Sequence, residues 1–369
     1  MNKIDELIQQ LCPDGVRFKE LGKVIKLQKG KQLNKELLNE FGKYPAYNGG
    51  ITYSGFTDTY NQEENTIIIS QGGVSAGFVN FVTTKFYANA HCYVVLPDIK
   101  VVLNRYVYHY LKLNQEKLTE KQYGAGIPAL RTSEILKIDI PVPPLKVQEE
   151  IVKTLDLFTE LEAELEAELE VRKTQYTYYR DALLRFEGKD VEWKAIGEVS
   201  EIKRGVAFTK RQAKPGGYPV VANAPIPICF HNESNRSGES IVIARSGANA
   251  GLVSYWNEKI FLTDAFSIHP NNTLLKAKFV YYYLKNLQYE MHLMKNGGGV
   301  PHVRASDFEV YKIPIPPMQQ QDRIIKILDQ FDSLVNDISV GLPAEIQARR
   351  KQYEYYRNSL LTFKEVANG

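Results

Sequence analysis

Cysteine is scarce in this chain and scattered where it occurs. Cys12, Cys92 and Cys229 are the three in 369 residues, an odd number placed far apart. That usage excludes a disulfide framework and a cysteine-based zinc site, and it points to reduced thiols in a cytoplasmic protein. Histidine is sparse as well. His91, His109, His231, His269, His292 and His302 form no H-x-x-x-H pair and flank no cysteine pair, so no metal site is expected. No run of about 18 apolar residues occurs, which leaves no membrane span to expect. The opening Met1-Asn2-Lys3-Ile4-Asp5-Glu6 lacks the apolar centre of a secretory leader, so none is expected.

Catalytic signatures are missing too. There is no G-x-x-x-x-G-K-[ST] nucleotide loop. An adenine methyltransferase would carry an Asn-Pro-Pro-Tyr-like loop and a glycine-rich cofactor turn after a strand. Val142-Pro143-Pro144-Leu145 has the prolines of such a loop but neither its amide nor its aromatic ring. Glu192-Trp193-Lys194 and Asp98-Ile99-Lys100 match fragments of a nuclease carboxylate–lysine motif, and both read as coincidences. These absences argue against a chain that performs chemistry alone.

What the chain has is a duplication. Ile140-Pro141-Val142-Pro143-Pro144-Leu145 reappears 173 residues later as Ile313-Pro314-Ile315-Pro316-Pro317-Met318. Gln148, Ile151, Leu155 and Phe158 then match Gln321, Ile324, Leu328 and Phe331. Further on, Tyr176, Tyr179, Arg180, Leu183, Leu184 and Phe186 match Tyr353, Tyr356, Arg357, Leu360, Leu361 and Phe363, now 177 residues apart. The later copy therefore carries four extra residues, near Gly341-Leu342-Pro343.

The repeated segments read as helices. Proline holds its predecessor out of the helical region but is tolerated in the first helical turn. After Pro144 the apolar residues step by three and four, the period of one helix face, and Leu161, Leu165 and Leu169 continue it. Gly188 is a plausible C-cap. A helix over roughly 148–186 would run ~58 Å and would need a packing partner to be stable. The second copy reads as two helices, about 319–338 and 344–363, broken at Gly341-Leu342-Pro343. The acidic run Glu160–Glu170 repeats every four residues. It is either a solvated face or the partner of Arg349, Arg350 and Lys351.

The remaining parts repeat more loosely. Lys29-Gly30 answers Arg204-Gly205, and Tyr44-Pro45 answers Tyr218-Pro219. Ile67-Ile68-Ile69-Ser70 answers Ile241-Val242-Ile243-Ala244. Gly126-Ile127-Pro128 answers Gly299-Val300-Pro301, and Arg131 answers Arg304. Apolar β-branched runs at 66–69, 92–95 and 240–243 read as strands, with helices at 101–118 and 275–292. Residues 52–65 have no sequence counterpart at 225–238, so one scaffold is expected to carry two different binding surfaces. Charge follows the same division. Residues 1–145 hold 17 basic and 14 acidic side chains, 146–190 hold 7 and 12, and 191–318 hold 15 and 10. Mildly basic globules and an acidic connector permit nucleic-acid binding without requiring it.

This order of globule, proline-led helix, second globule and second proline-led helix resembles the specificity (S) subunit of type I restriction–modification systems. The duplicated endings Gln175-Tyr176-Thr177-Tyr178-Tyr179-Arg180-Asp181 and Gln352-Tyr353-Glu354-Tyr355-Tyr356-Arg357-Asn358 carry the resemblance, with Gly341-Leu342-Pro343-Ala344-Glu345-Ile346. It implies a mixed α/β fold: two similar target recognition domains separated by two long antiparallel, coiled-coil-like helical segments in a pseudo-twofold internal repeat. The expected bounds are 1–145 for the first recognition domain, 146–188 for the central helical spacer, 189–318 for the second domain and 319–369 for the C-terminal spacer.

By the same resemblance, each globule reads half of a split, asymmetric duplex DNA target. The helices bind two modification (M) subunits, and two restriction (R) subunits complete the nuclease. No cofactor is expected on this chain; S-adenosylmethionine, ATP and Mg are expected in the partners. Base readout and phosphate contact call for Arg, Lys, Asn, Gln, Ser and backbone amides. The candidates in the first globule are Lys29, Lys31, Tyr47, Asn48, Gln71, Ser75, Lys121 and Gln122. In the second they are Arg204, Lys210, Arg211, Lys214, Asn223, Arg245, Ser246, Asn249, Lys295 and Arg304. His302 draws notice because it lies beside Gly297-Gly298-Gly299 and Arg304. Tyr176, Tyr179, Leu183, Tyr353, Tyr356 and Leu360 are candidates for contact with partner subunits, their helical spacing favouring packing over base stacking. Two rival readings stay open on sequence alone: a self-sufficient DNA methyltransferase or nuclease, and a scaffold that never touches nucleic acid.

Overall fold

The computed structural model describes residues 3–124, 128–295 and 301–366. The landmarks Gly126, Ile127 and Gly297–Val300 lie outside the described residues. After helix α1 (Lys3–Leu11), the first globule builds strands β1 (Phe18–Glu20), β2 (Ile25–Lys29), β3 (Tyr44–Tyr47), β4 (Gly55–Thr57), β5 (Thr66–Ser70), β6 (Val79–Val82), β7 (Tyr87–Ala88) and β8 (Cys92–Pro97). Helices α2 (Asn104–Leu113), α3 (Gln115–Glu120) and α4 (Thr132–Leu136) follow, then β9 (Asp139–Pro141) and the long α5 (Leu145–Leu184).

The second globule contains β10 (Glu192–Ala195), α6 (Ile196–Val199), β11 (Ser200–Arg204), β12 (Tyr218–Val221), β13 (Cys229–His231), β14 (Glu239–Ala244), β15 (Val253–Asn257), β16 (Phe261–Leu262) and β17 (Ala265–Pro270). It ends with α7 (Ala277–Asn286), α8 (Gln288–Leu293), α9 (Ala305–Glu309) and β18 (Lys312–Ile315). Two 19-residue helices close the chain, α10 (Met318–Asn336) and α11 (Leu342–Leu360).

The two globules have one topology. The first has a four-stranded antiparallel sheet in the order β2-β8-β5-β6, and the second has β11-β17-β14-β15. A three-stranded sheet β4-β3-β7 is matched by β13-β12-β16, and the ribbon β1-β9 by β10-β18. The match extends into the region where the sequences diverge. β4 and β13 occupy the same place beside β3 and β12. Asn61 exchanges two hydrogen bonds with the backbone of Ala88, at 3.0 and 2.7 Å. Asn235 repeats both with Leu262, again at 3.0 and 2.7 Å. One shared asparagine was too faint a sequence signal to reveal that the backbone of 52–65 has a counterpart.

Chain contacts divide the molecule into two units, the first assembled from two non-consecutive pieces and the second from one continuous stretch. One comprises residues 1–166 and 345–369, the other 167–344. The division falls inside α5. In the first unit Val147, Ile151 and Leu155 of α5 are buried with Tyr353 and Leu360 of α11 against the first globule. Phe158 stacks on Tyr356 with ring centroids 5.0 Å apart, and Arg350 reaches back to Glu162 and Glu166, so these two stretches run antiparallel. The acidic run thus has a basic partner on α11, Arg350, while Arg172 and Lys173 of α5 itself pair with Glu168 and Glu170; Arg349 pairs instead with Glu345 on its own helix. The tail returns beside the start of the chain, where Val16 N–H donates to Lys364 O at 2.8 Å.

The second unit uses the other half of α5. Leu184 and Phe186 are buried with Ile324 and Leu328 of α10 against the second globule. Tyr176 and Tyr179 both stack on Phe331, at 6.1 and 5.5 Å.

Each globule is fastened to its proline-led helix by a buried glutamine. Gln148 accepts from Leu103 N–H at 2.8 Å and donates to Val101 O and Pro143 O at 3.0 and 2.8 Å. Gln321 makes the same three bonds, with Lys276 N–H, Leu274 O and Pro316 O. Both glutamines are fully buried, which explains why an amide recurs on an otherwise apolar face.

Candidate nucleic-acid interface

The two turns that follow β5 and β14 are held by one set of backbone bonds. Gln71 N–H donates to His91 O and Gln71 O accepts from Leu130 N–H, both at 2.8 Å. Arg245 N–H donates to Asp264 O at 3.2 Å and Arg245 O accepts from Val303 N–H at 2.8 Å. The next clamp also repeats, from Gly73 N–H to Pro128 O and from Gly247 N–H to Pro301 O. Gly73 and Gly247 sit at φ +80° and +76°, a region that favours glycine. Gln71 and Arg245 therefore stand at one backbone position in two copies. Likewise Lys29 and Arg204 end the matched strands β2 and β11. Arg131 and Arg304 each precede a short helix, α4 or α9.

The glycines after Lys29 and Arg204 recur for a packing reason. A Cβ on Gly30 would lie 2.0 Å from Asn89 O, and one on Gly205 would lie 2.8 Å from Leu262 O. Each glycine lets the strand end press against the neighbouring backbone. The guanidinium of Arg236 buttresses this place in the second globule, donating to Arg204 O and Ser267 Oγ at 2.7 Å.

In the second globule the three positions converge. Arg204, Arg245 and Arg304 line one open cleft of about 460 Å³, with Asp264 and His302 on its wall. All three arginines are exposed, and none has an ion pair among the described residues. The one carboxylate at the cleft is already engaged: Asp264 accepts from Ser246 Oγ and, at 3.3 Å, from Asn223 Nδ2. Three unpaired guanidinium groups around a solvent-open cleft attract an anionic ligand and present planar, bidentate donors.

The other candidates separate into free and engaged side chains. Lys29, Lys31 and Asn48 in the first globule and Lys210, Arg211 and Lys214 in the second are exposed. Gln71 and Ser75 are half-buried. Tyr47 is half-buried and packs edge-on against Phe86 at 5.6 Å; burial pushes its hydroxyl pKa up. Lys121 pairs with Glu134 at 3.2 Å. Gln122 and Lys295 stand at matched positions and both close a turn, donating to Ala76 O at 2.7 Å and Ala248 O at 2.9 Å. Asn249 donates to Asn223 O at 2.9 Å, and Ser246 is buried on Asp264. Arg131 was not among the sequence candidates; it is exposed with its guanidinium 4.4 Å from the Tyr123 ring. Its match to Arg304 was the available signal.

Of the helical candidates, Tyr353 and Leu360 are buried in the first unit, while Tyr176 and Leu183 pack against the core of the second. Tyr179 and Tyr356 stack on Phe331 and Phe158 but remain exposed at one edge. The outward rings at matched positions are Tyr178 and Tyr355, each 69% exposed.

A polar cluster lies where α2, α5 and α11 meet in the first unit. The buried His109 ring bonds Tyr353 Oη at 2.9 Å through Nδ1 and Asp156 Oδ1 at 2.7 Å through Nε2. Arg105 donates to the same Asp156 oxygen, at 2.8 Å from Nε. Burial lowers the pKa of His109 below the usual imidazole range, with the hydrogen bond to Asp156 opposing it. Burial pushes Asp156 up, but His109 and Arg105 outweigh that and leave its carboxyl below the ordinary range. The second unit places Tyr282 and Lys278 on the matching Asp329, both at or below 2.7 Å. Among the described residues no group of His, Cys, Asp and Glu is placed to hold a metal, and no helix is long and apolar enough to cross a membrane.

Comparison with known proteins agrees with this geometry. The family model for the type I restriction modification DNA specificity domain matches twice, over residues 13–171 and 188–348. A chain assigned as a type I restriction enzyme specificity subunit in Haemophilus influenzae is 32% identical over 358 residues, covering 89% of this chain and 90% of that one. The EcoR124I/EcoR124II specificity subunit of Escherichia coli is 30% identical over 352 residues, covering 86% and 87%. The crystal structure of an S subunit from M. genitalium shares the fold, with a TM-score of 0.74 at 24% identity over 94% of this chain and 96% of that one. With two family matches falling on two globules of one topology, the chain belongs to the specificity (S) subunits of type I restriction–modification systems, the non-catalytic subunits that recognise DNA sequence.

Proposed function

We propose that each globule reads one half of an asymmetric, split duplex target, and that the chain does so inside an assembly with two modification and two restriction subunits. The observation that carries this reading is the single sheet topology used twice with different side chains at matched backbone positions. Two copies of one scaffold bind the same kind of ligand, and unlike side chains at the turns select unlike sequences. The exposed basic residues Lys29, Lys31, Lys210, Arg211, Lys214 and Arg304 are the proposed phosphate contacts, free to release counterions on binding.

Tyr178 and Tyr355, with the exposed edges of Tyr179 and Tyr356, are the proposed contacts to modification subunits, because aromatic side chains exposed at matched helical sites suit protein interfaces. S-adenosylmethionine, ATP and Mg belong in this reading to the partner subunits, and methyl transfer to adenine and ATP-dependent cleavage take place there. The assembly acts in the cytoplasm. Reconstitution tests the division of labour. Purified chain incubated with DNA and S-adenosylmethionine is expected to transfer no methyl group, and adding its modification subunit is expected to start transfer at one split sequence. Transfer by the chain alone would overturn the assignment.

A further inference from the structure

We infer that the residue at the turn after β5 and β14 is the specificity-determining reader of each globule, with Arg245 directed at a guanine and Gln71 at an adenine. This rests on the reading of the globules as DNA recognition domains. The argument comes from what the copies keep and what they change. Lys29 and Arg204 keep a positive charge at one strand end, and Arg131 and Arg304 keep one before the short helix. A feature common to two unlike half-sites is the phosphate backbone, so the unchanged charges belong there. Gln71 and Arg245 share a backbone position and differ in chemistry. A feature that differs between half-sites is a base edge.

The chemistry of the two side chains then assigns the base. Arginine matches the O6 and N7 acceptors of guanine with two parallel donors, and glutamine pairs with N7 and the N6 amino group of adenine. In the second globule Arg245 faces a cleft of about 460 Å³, flanked by Arg204 and Arg304. The nearby Asp264 is held by Ser246 and Asn223, which leaves the Arg245 guanidinium free for a ligand. In the first globule the side-chain oxygen of Gln71 is shielded from water without a hydrogen-bond partner. Turning this half-buried side chain outward would present that acceptor to an adenine amino donor and relieve its unpaired burial.

The test is methylation mapping in a host that carries this chain with its own modification subunit and no other adenine methylase. R245Q is expected to change the base accepted at one position of one half-site and to lower methylation of the original motif by roughly 5- to 150-fold. The other half-site and the gap should not change. Q71R should do the same in the other half-site. R204A and R304A should lower methylation of an unchanged motif, with the deficit shrinking in binding assays at low salt. The inference is overturned if R245Q preserves every base of both half-sites or lowers methylation uniformly without altering the motif. If R245Q fails to assemble with the modification subunit, Q71R decides by the same readout. A wild-type chain that yields no split motif would instead defeat the underlying functional reading.

Discussion

A single buried amide shows how much one side chain can matter here. Gln148 satisfies two carbonyls and one N–H at the point where the first globule meets α5, and it is shut off from water. Gln148→Leu keeps the volume and leaves those three backbone groups unpaired. Stranded buried polar groups cost about 1–3 kcal/mol each, and relaxation recovers part of that, so a loss of about 2–4 kcal/mol is expected. Thermal or urea unfolding of the variant against wild type measures it, and Gln321→Leu should act equally on the second unit. The sequence disclosed these glutamines because they recur at 173-residue spacing on an apolar face. It signalled Arg131 only through its match to Arg304, and it concealed Asp264 and the clamping pair Asn61 and Asn235, because one polar residue in a loop carries no periodicity to read. Gln122, Lys295 and Asn249 had the right chemistry for DNA, but nearby backbone carbonyls claim them.

Between elements, the His109–Asp156–Tyr353 cluster makes the packing of α2, α5 and α11 sensitive to acid. His109 has a folded pKa below its ordinary value of 6.5, so the unfolded chain binds more protons as pH falls through that range, and stability falls with it. Asp156 acts in the same direction at lower pH, since its folded pKa is also depressed. The melting temperature of the first unit is therefore expected to drop between pH 7.5 and 5. His109→Gln should flatten that dependence; the second unit has Tyr282 at the matching place, so its own acid sensitivity in this range rests instead on His269, whose pKa burial also lowers. Calorimetry at the two pH values checks both. Removing α11 gives a second expectation. It strips Tyr353, Leu360 and Leu361 from the first core, and each large apolar side chain contributes about 1.5–3 kcal/mol. Truncation after Ala344 should expose residues 1–166 to limited proteolysis while 167–344 stays protected. The helices themselves were legible from their period, with bounds one to three residues from those observed. Their sharing was not, because periodicity names a packing face without naming the partner that covers it.

For the whole molecule, the duplication is the organising fact, and the chain returns after the second unit to complete the first. The second unit is one continuous stretch flanked by its own helix pieces, whereas the first takes the near half of α5 from beside its globule and recruits α11 from the far end of the chain. The twofold repeat of topology, buried glutamine and strand-following turn is what lets one polypeptide recognise two unlike sequences. Mapping adenine methylation across the host genome with this chain present, deleted and restored tests that claim most directly. The account predicts one asymmetric split motif whose two halves vanish together on deletion and return together on complementation. Methylation of such a motif that persists without the chain, or a single undivided motif that depends on it, would contradict the account.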